Sequence, residues 1–380
     1  MMRPEEHFAA QVRNVVIPFT SAKLGGSHIS GVTLGVGLKQ RFGARCIVVA
    51  PQTAKVLALA EEMGLETRAV AEPPASRRWP HTDLLGTPSR IRHLRELGSD
   101  TVIHCNDLAA LQAWLLAAKL TRTPIVYHNR GFARDFAPYR FVMRRADHVI
   151  PISAACDRRL GFIAAERRTI LTNPFLTPAD YDASETRKGI LRELGAPADS
   201  KLVGFIGNFW RRKRPLFFAD IAARLAADDA GMRFVFYGRE GDVGLAEMNE
   251  RIARPGLAGR TLIAGFRLPP EANIASLDLL LMPALDEPFG RTLVEALLMG
   301  VPYVAADDAG HAEIHGRWGG GILLPKDAGV EAYAHASRAA LADPDAVTLP
   351  VARRREIAET LRPEHHAGQV MTIYEQLMRG

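Results

Sequence analysis

The sequence predicts an α/β protein made of two doubly wound halves, each a parallel sheet covered by helices on both faces. Three observations predict it. Short apolar runs rich in Val, Ile, Leu and Phe alternate with helical patterns along the whole chain. That alternation is the signature of βαβ units whose strands are buried on both sides. The chain has 380 residues, more than one core serves well, so about two domains are expected. Between the two series of strands lies an interval, 173–200, that contains Pro174, Pro178 and Pro197 and reads as the connection.

In the first half, strands are expected at 15–19, 47–50, 101–104, 125–128 and 148–152, with helices such as 108–119 and 154–162 between them. Asn106 or Asp107 is placed to cap the first of these helices. In the connection, Ser184 is placed to cap a helix over 184–194. The second half offers strands at 202–206, 234–237, 262–264, 279–282, 301–305 and 322–324, and helices at 215–227, 292–299 and 330–341. The last stretch, 366–378, carries Val370, Ile373, Tyr374 and Leu377 on one stripe of an amphipathic helix. The expected division is 1–180, 181–362 and a terminal helix 363–380.

Composition narrows the function classes. Hydrophobic content of 47% and charged content of 24% are those of a soluble globular protein. Cys46, Cys105 and Cys156 are sparse, odd in number and far apart, which argues for a reducing, cytoplasmic setting and against a disulfide framework. No apolar run approaches the ~20 residues of a membrane span, and residues 1–10 lack the apolar core of a secretory signal. Charge is uneven. Residues 1–180 carry 24 Lys and Arg against 15 Asp and Glu, a balance of +9; residues 181–380 carry 24 against 27, a balance of −3. The basic first half suits an anionic partner such as a membrane surface, or is simply a solvated face. Arg130, Arg134, Arg140, Arg144 and Arg145 lie close together in it. No nucleic-acid recognition motif accompanies the arginines, so nucleic acid is not expected as a partner.

Residues 287–303 carry the strongest chemical signal. Glu287 and Glu295 stand eight positions apart, separated by the sharp break Pro288-Phe289-Gly290 and followed by Gly300 and Pro302. The local plan is strand, tight turn, helix start. Free N–H groups and the positive end of the helix dipole suit a diphosphate there, while two carboxylates can accept hydrogen bonds from sugar or ribose hydroxyls. A second cluster follows the expected strand 202–206: Gly207-Asn208-Phe209-Trp210-Arg211-Arg212-Lys213-Arg214-Pro215. Arginine forks and a lysine ammonium both suit phosphate. Gly25-Gly26, in Lys23-Leu24-Gly25-Gly26-Ser27, lets a backbone approach a ligand closely. Gly35-Val36-Gly37 lacks the third glycine of a dinucleotide loop and lies in a helical stretch. Asp180-Tyr181-Asp182 and Asp343-Pro344-Asp345 have a metal-binding form but follow no sheet strand, so they read as turns and caps and no metal site is expected.

Taken together, Glu-Pro-Phe-Gly, Glu-Ala and Gly-x-Pro at this spacing resemble the nucleotide-sugar signature of retaining glycosyltransferases of the GT-B fold, family four (glycosyl transferases group 1). The resemblance spans most of the chain and is strongest over 200–325. It implies two Rossmann-like domains facing a cleft, the last helix crossing back to the first domain, and domain closure that excludes water. It implies a metal-independent hexosyltransferase without a cofactor, which moves a sugar from a nucleotide-sugar, a UDP-sugar by preference, to a glycan or lipid-linked glycan. By the same resemblance Glu287 binds the sugar hydroxyls, Glu295 the ribose, and Arg212 and Lys213 the diphosphate. The backbone of Phe289, Gly290, Arg291 and Thr292 assists, Gly25 and Gly26 border the donor and acceptor, and Phe266 and Arg267 hold the nucleobase. His128, after the strand 125–128, stands near the reaction centre, and His311, where relatives often have glycine, marks a donor or acceptor preference or is a surface loop residue. Asn208 departs from the family, many members of which have arginine at that position. A cell-envelope glycan and a peripheral position on the inner membrane face fit the basic first half. A nucleotide-sugar epimerase, another GT-B enzyme such as a phosphorylase, and a non-catalytic sugar-nucleotide-binding protein are the alternatives.

Overall fold

The computed structural model describes residues 12–22, 24–70, 84–133, 136–176 and 181–379. Lys23, Arg134, Pro178, Asp180 and the segment 1–10, all given roles from the sequence, lie outside the described residues. The chain divides into two compact units: Met1–Leu176 with Thr360–Gly380, and Thr177–Glu359.

Unit 1 runs β1 (Asn14–Pro18), α1 (Gly26–Phe42), β2 (Arg45–Pro51), α2 (Lys55–Glu62), β3 (Glu66–Val70), α3 (Thr87–Leu97), β4 (Thr101–Cys105), α4 (Leu108–Thr121), β5 (Ile125–Asn129), α5 (Ala137–Met143), β6 (His148–Pro151) and α6 (Ala154–Arg158). Its six strands are parallel in the order β3-β2-β1-β4-β5-β6. The central strands are buried along their length because helices cover both faces, which is why they read as unbroken apolar runs.

Unit 2 runs α7 (Ser184–Glu193), β7 (Lys201–Ile206), α8 (Pro215–Asp228), β8 (Met232–Tyr237), α9 (Leu245–Ile252), β9 (Thr261–Gly265), α10 (Pro270–Ala275), β10 (Leu279–Met282), α11 (Arg291–Met299), β11 (Tyr303–Asp307), α12 (Ala309–Trp318), β12 (Ile322–Pro325), α13 (Val330–Ala342) and α14 (Val351–Thr360). Its sheet, β12-β11-β10-β7-β8-β9, is wound in the same order as the first. In each sheet the first strand has its sequential successor on one side and a later strand on the other. That switch point, at the carboxyl ends of the strands, is where open α/β sheets bind ligands. It falls between β1 and β4 in unit 1 and between β7 and β10 in unit 2.

The terminal helix α15 (Pro363–Arg379) belongs to unit 1. Its stripe of Ala367, Val370, Met371, Ile373 and Tyr374 joins the core formed by β1, β2 and α1. Gly37 of α1 permits the contact: a Cβ there would stand 2.3 Å from the Pro363 carbonyl oxygen.

Several local expectations are corrected. The helix expected over 154–162 stops at Arg158, and Gly161 follows in a turn. β3 has no apolar run because it is an edge strand. Its Glu66 pairs with Arg45 at 2.7 Å, a polar dressing usual for edges. β11 begins at Tyr303 and not at 301, because the Val301 N–H closes α11 onto the Ala296 carbonyl after left-handed Gly300. Ser184 does not cap α7. Ala183 is the cap residue, and the Asp182 carboxylate accepts the Ser184 N–H at 2.9 Å.

Candidate functional site

At the switch point of unit 2, β7 delivers Gly207 and Asn208, and buried Phe209 anchors the loop against Phe236, ring centroids 6.1 Å apart. Arg211–Lys213 forms one turn of 3-10 helix, and Arg214 adopts a left-handed conformation before Pro215 opens α8. On the neighbouring strand, β10 leads into Asp286 and Glu287. The two loops are bound together. The Leu285 N–H donates to the Arg212 carbonyl at 2.8 Å, Lys213 Nζ lies 2.7 Å from Glu287 Oε2, and Arg212 Nη1 lies 3.0 Å from the same oxygen. The Lys213 and Glu287 side chains are 14% and 12% exposed, Arg212 43%. Burial alone would raise the Glu287 pKa, but Lys213 and Arg212 outweigh it and hold the carboxyl down at about 2.

The turn that follows is clamped onto the start of α12. The Asp286 N–H donates to Asp308 Oδ2 at 2.6 Å and the Gly310 N–H to the Glu287 carbonyl at 2.9 Å. A Cβ on Gly310 would stand 2.5 Å from Phe289 Cα. Gly290 has φ +92°, which favours glycine, and a Cβ there would meet His311 at 2.6 Å. α11 then starts at Arg291 with no side-chain cap, so no side chain neutralises the positive end of the helix dipole, which suits an anion. Glu295 lies one turn on, 3% exposed, with Arg291 Nε 2.7 Å from its Oε1. Burial raises the Glu295 pKa, and Arg291 opposes this.

His311 is not a surface loop residue. It is fully buried in α12, and burial lowers its pKa to about 4. Phe266 and Arg267 follow β9 at the same edge of the sheet. Arg239 stacks over Phe266 at 3.8 Å, and Arg267 is held by Glu193 through two bonds of 2.7 Å. Among the described residues neither forms a hydrogen bond or ion pair with Glu287, Lys213 or Arg212. Asn208 accepts the Arg239 N–H at 3.1 Å. Among the described residues no three His, Cys, Asp or Glu side chains form a set suited to a metal ion.

In unit 1, Gly25 is the N-terminal cap residue of α1 and Gly26 its first residue. Asp107 caps α4, accepting the Ala110 N–H at 2.7 Å. His128, at the carboxyl end of β5, belongs to a buried polar array. Arg130 Nη2 lies 3.2 Å from His128 Nδ1, and arginine can only donate. Nδ1 is therefore an acceptor, and the proton of the neutral ring sits on Nε2. His104 Nε2, 3.1 Å from the same Nδ1, must then donate as well, leaving His104 Nδ1 to accept the Tyr374 hydroxyl at 2.7 Å. His366 stacks on His128 at 5.7 Å. Burial, reinforced by the Arg130 charge, lowers the pKa of His104 and His128 far below the usual value and that of His366 to about 3. Among the described residues the His128 Nε2–H has no hydrogen-bond partner.

Arg130 thus leaves the surface cluster assigned to it from sequence. Its Nε donates to Asn106 Oδ1 at 2.8 Å and its Nη1 to Asn173 Oδ1. The sequence reading missed Asp308, Asn173, His366 and the burial of His311. Only His366 gave a signal, since it stands four residues before Val370 on the stripe of α15.

Residues 200–343 match the family described as Glycosyl transferases group 1, and residues 24–174 match Glycosyltransferase Family 4. A lipopolysaccharide core biosynthesis mannosyltransferase of Rhizobium meliloti is 29% identical over 307 residues, which cover 77% of this chain and 81% of that protein. A 2-deoxystreptamine glucosyltransferase of Streptomyces kanamyceticus is 28% identical over 317 residues, covering 80% and 79%. The solved structure of Anabaena HepE in complex with UDP and glucose has a TM-score of 0.79 at 20% identity over 96% of this chain and 100% of that one, a likeness of fold. With two like-wound parallel sheets and both family matches, one in each unit, this chain belongs to the family 4, group 1 glycosyltransferases of the GT-B fold.

Proposed function

We propose that the chain transfers a sugar from a UDP-sugar to a hydroxyl of a glycan or lipid-linked glycan, with retention of anomeric configuration and without a metal ion. The observation that carries this reading is the joint hold of Lys213 and Arg212 on Glu287, beside the uncapped start of α11. As the glycosidic bond breaks, the departing diphosphate gains negative charge. Fixed cations and helix N–H groups stabilise that change most in the transition state. Lys213 and Arg212 supply the positive charge that a divalent cation provides elsewhere. Arg212, the more exposed of the two, turns from Glu287 to the phosphates, and Glu287 orients both cations while accepting sugar hydroxyls. Glu295 takes the ribose hydroxyls by exchanging its bond to Arg291. Phe266 and Arg267 border the base, and in unit 1 Gly25, Gly26 and His128 are the residues that the family resemblance assigns to the acceptor side.

Retention is supported by the family and by the state of Glu287. A carboxylate held at a pKa of about 2 is a poor general base for activating an acceptor on the opposite face of the sugar. UDP as the donor nucleotide is supported by the ligand of the HepE structure. A glycan acceptor, and with it work at the inner face of an envelope membrane, is supported by the lipopolysaccharide relative and the +9 balance of residues 1–180.

The test is incubation with UDP-sugars and an acceptor panel in excess EDTA, with the product anomer read by proton NMR. The expected result is transfer with the donor's configuration. An inverted product, or loss of transfer restored by a divalent ion, overturns the mechanism. Conversion of the UDP-sugar without acceptor identifies an epimerase.

A further inference from the structure

We infer that unit 1 holds a second anion site, for a ligand bearing a doubly charged phosphate, at the opposite edge of its sheet from His128. A cavity of about 690 Å³ is lined by Lys119, Arg122, Arg144, Arg145, Arg167 and Asp147, with Leu377 among the other lining residues. It lies at the amino ends of the strands: Arg122 stands just before β5, and Arg145 and Asp147 just before β6. The ligand edge of such sheets is the other one, so the fold itself gives no reason for cations to gather here.

The charges are unbalanced. Asp147 pairs with Lys119 at 2.5 Å, and its second oxygen accepts the Ile125 N–H at 2.8 Å. Arg122, Arg144, Arg145 and Arg167 form no ion pair among the described residues. Five cations against one carboxylate leave four uncompensated charges around one cavity, an arrangement that repels itself until an anion enters. The guanidinium groups are also braced. Arg144 Nε donates to the Phe162 carbonyl at 3.1 Å, Arg145 lies 3.3 Å over the Phe141 ring, and Arg167 Nη2 donates to the carbonyls of Arg144 and Ala146. Arg122 has a left-handed backbone, and among the described residues its side chain forms no hydrogen bond, so its fork faces the cavity open. Guanidinium forks held in place match phosphate oxygens two at a time. The ligand is a phosphomonoester or diphosphate group, either free or as the headgroup of a lipid.

The test uses the full chain. The Arg122→Gln/Arg145→Gln variant leaves the structural bonds of Arg167 intact, and transfer activity is expected to persist in it. Binding of inorganic pyrophosphate is measured by calorimetry in an Arg212→Ala/Lys213→Ala parent, which removes the two cations of unit 2 assigned to the diphosphate. One equivalent is expected to bind, at least tenfold more weakly once Arg122 and Arg145 are also replaced. Vesicles identify the source. Preference for phosphatidic acid over phosphatidylglycerol at equal surface charge, lost in the variant, assigns a lipid headgroup; pyrophosphate binding without that preference assigns a soluble phosphate. Absence of pyrophosphate binding in the parent, or equal binding by the variant, overturns the site. Absence of transfer by the unsubstituted chain, with pyrophosphate still bound by the Arg212→Ala/Lys213→Ala parent, would count against the proposed transfer reaction and not against this site.

Discussion

The Tyr374 hydroxyl donates to His104 Nδ1 at 2.7 Å across 270 residues of sequence. This bond ties α15 to β4 and completes the proton arrangement that Arg130 imposes on His128 and, through it, on His104.

Tyr374→Phe therefore has two effects. It leaves a fully buried acceptor without a partner, which should cost about 1–3 kcal/mol and lower the urea midpoint of unit 1. It also removes the donor to His104 Nδ1, visible in the nitrogen-15 shift of that imidazole, while Arg130 keeps the His128 proton on Nε2. An unchanged midpoint with unchanged ring shifts would refute the proton arrangement.

Acid should loosen unit 1 before unit 2. His28, His104, His128 and His366 all have folded pKa values lowered by burial, to about 4 for His28 and about 3 for His366. Each binds its proton more readily unfolded, where the value is about 6.5. Their contribution is complete above that pH and is lost as pH falls from about 6.5 toward 4, by up to roughly 1.4 kcal/mol per pH unit for each proton. In unit 2, His311 follows the same course, and Glu287, depressed to about 2, loses its contribution only as pH falls below about 4.5. Hydrogen exchange at pH 5 and pH 7 should show protection lost first in β4, β5 and α15. Equal loss in both units would contradict this.

Lys213→Ala should lower kcat for transfer by about 10²–10³-fold while the far-ultraviolet spectrum stays unchanged. Glu287 keeps Arg212 as its partner, so the fold survives. Turnover within threefold of the parent would remove Lys213 from the reaction.

Gly310→Ala drives a methyl group into the Phe289 backbone. The turn carrying Glu287 must shift, at a cost of about 1–3 kcal/mol. UDP should bind at least tenfold more weakly, as read by calorimetry, and Gly316→Ala, where a Cβ meets open space, serves as the control. Equal binding by the two variants would show that the clamp is unimportant for the ligand.

The central strands were legible because burial on both faces leaves an unbroken apolar run, as in β10. β3 was not, since an edge strand carries Glu66 and Arg68 for solvent and neighbours. The unit 2 cluster was half legible. Glu287 to Glu295 sit in one contiguous motif, but the seat of Lys213 on Glu287 spans 74 positions and depends on β7 and β10 lying side by side. The imidazole array was illegible for the same reason: its members come from β4, β5 and α15, and each alone reads as an ordinary histidine.

The return of α15 to unit 1 has a consequence for biosynthesis. The ribosome releases β1 to β6 before unit 2, yet the residues that complete their core, Val370 to Tyr374, are translated only after it. Unit 2, contiguous in the chain, can finish folding on the nascent polypeptide while its predecessor waits. A premature stop after residue 360 would leave the face of α1 and β2 uncovered and exposed to aggregation.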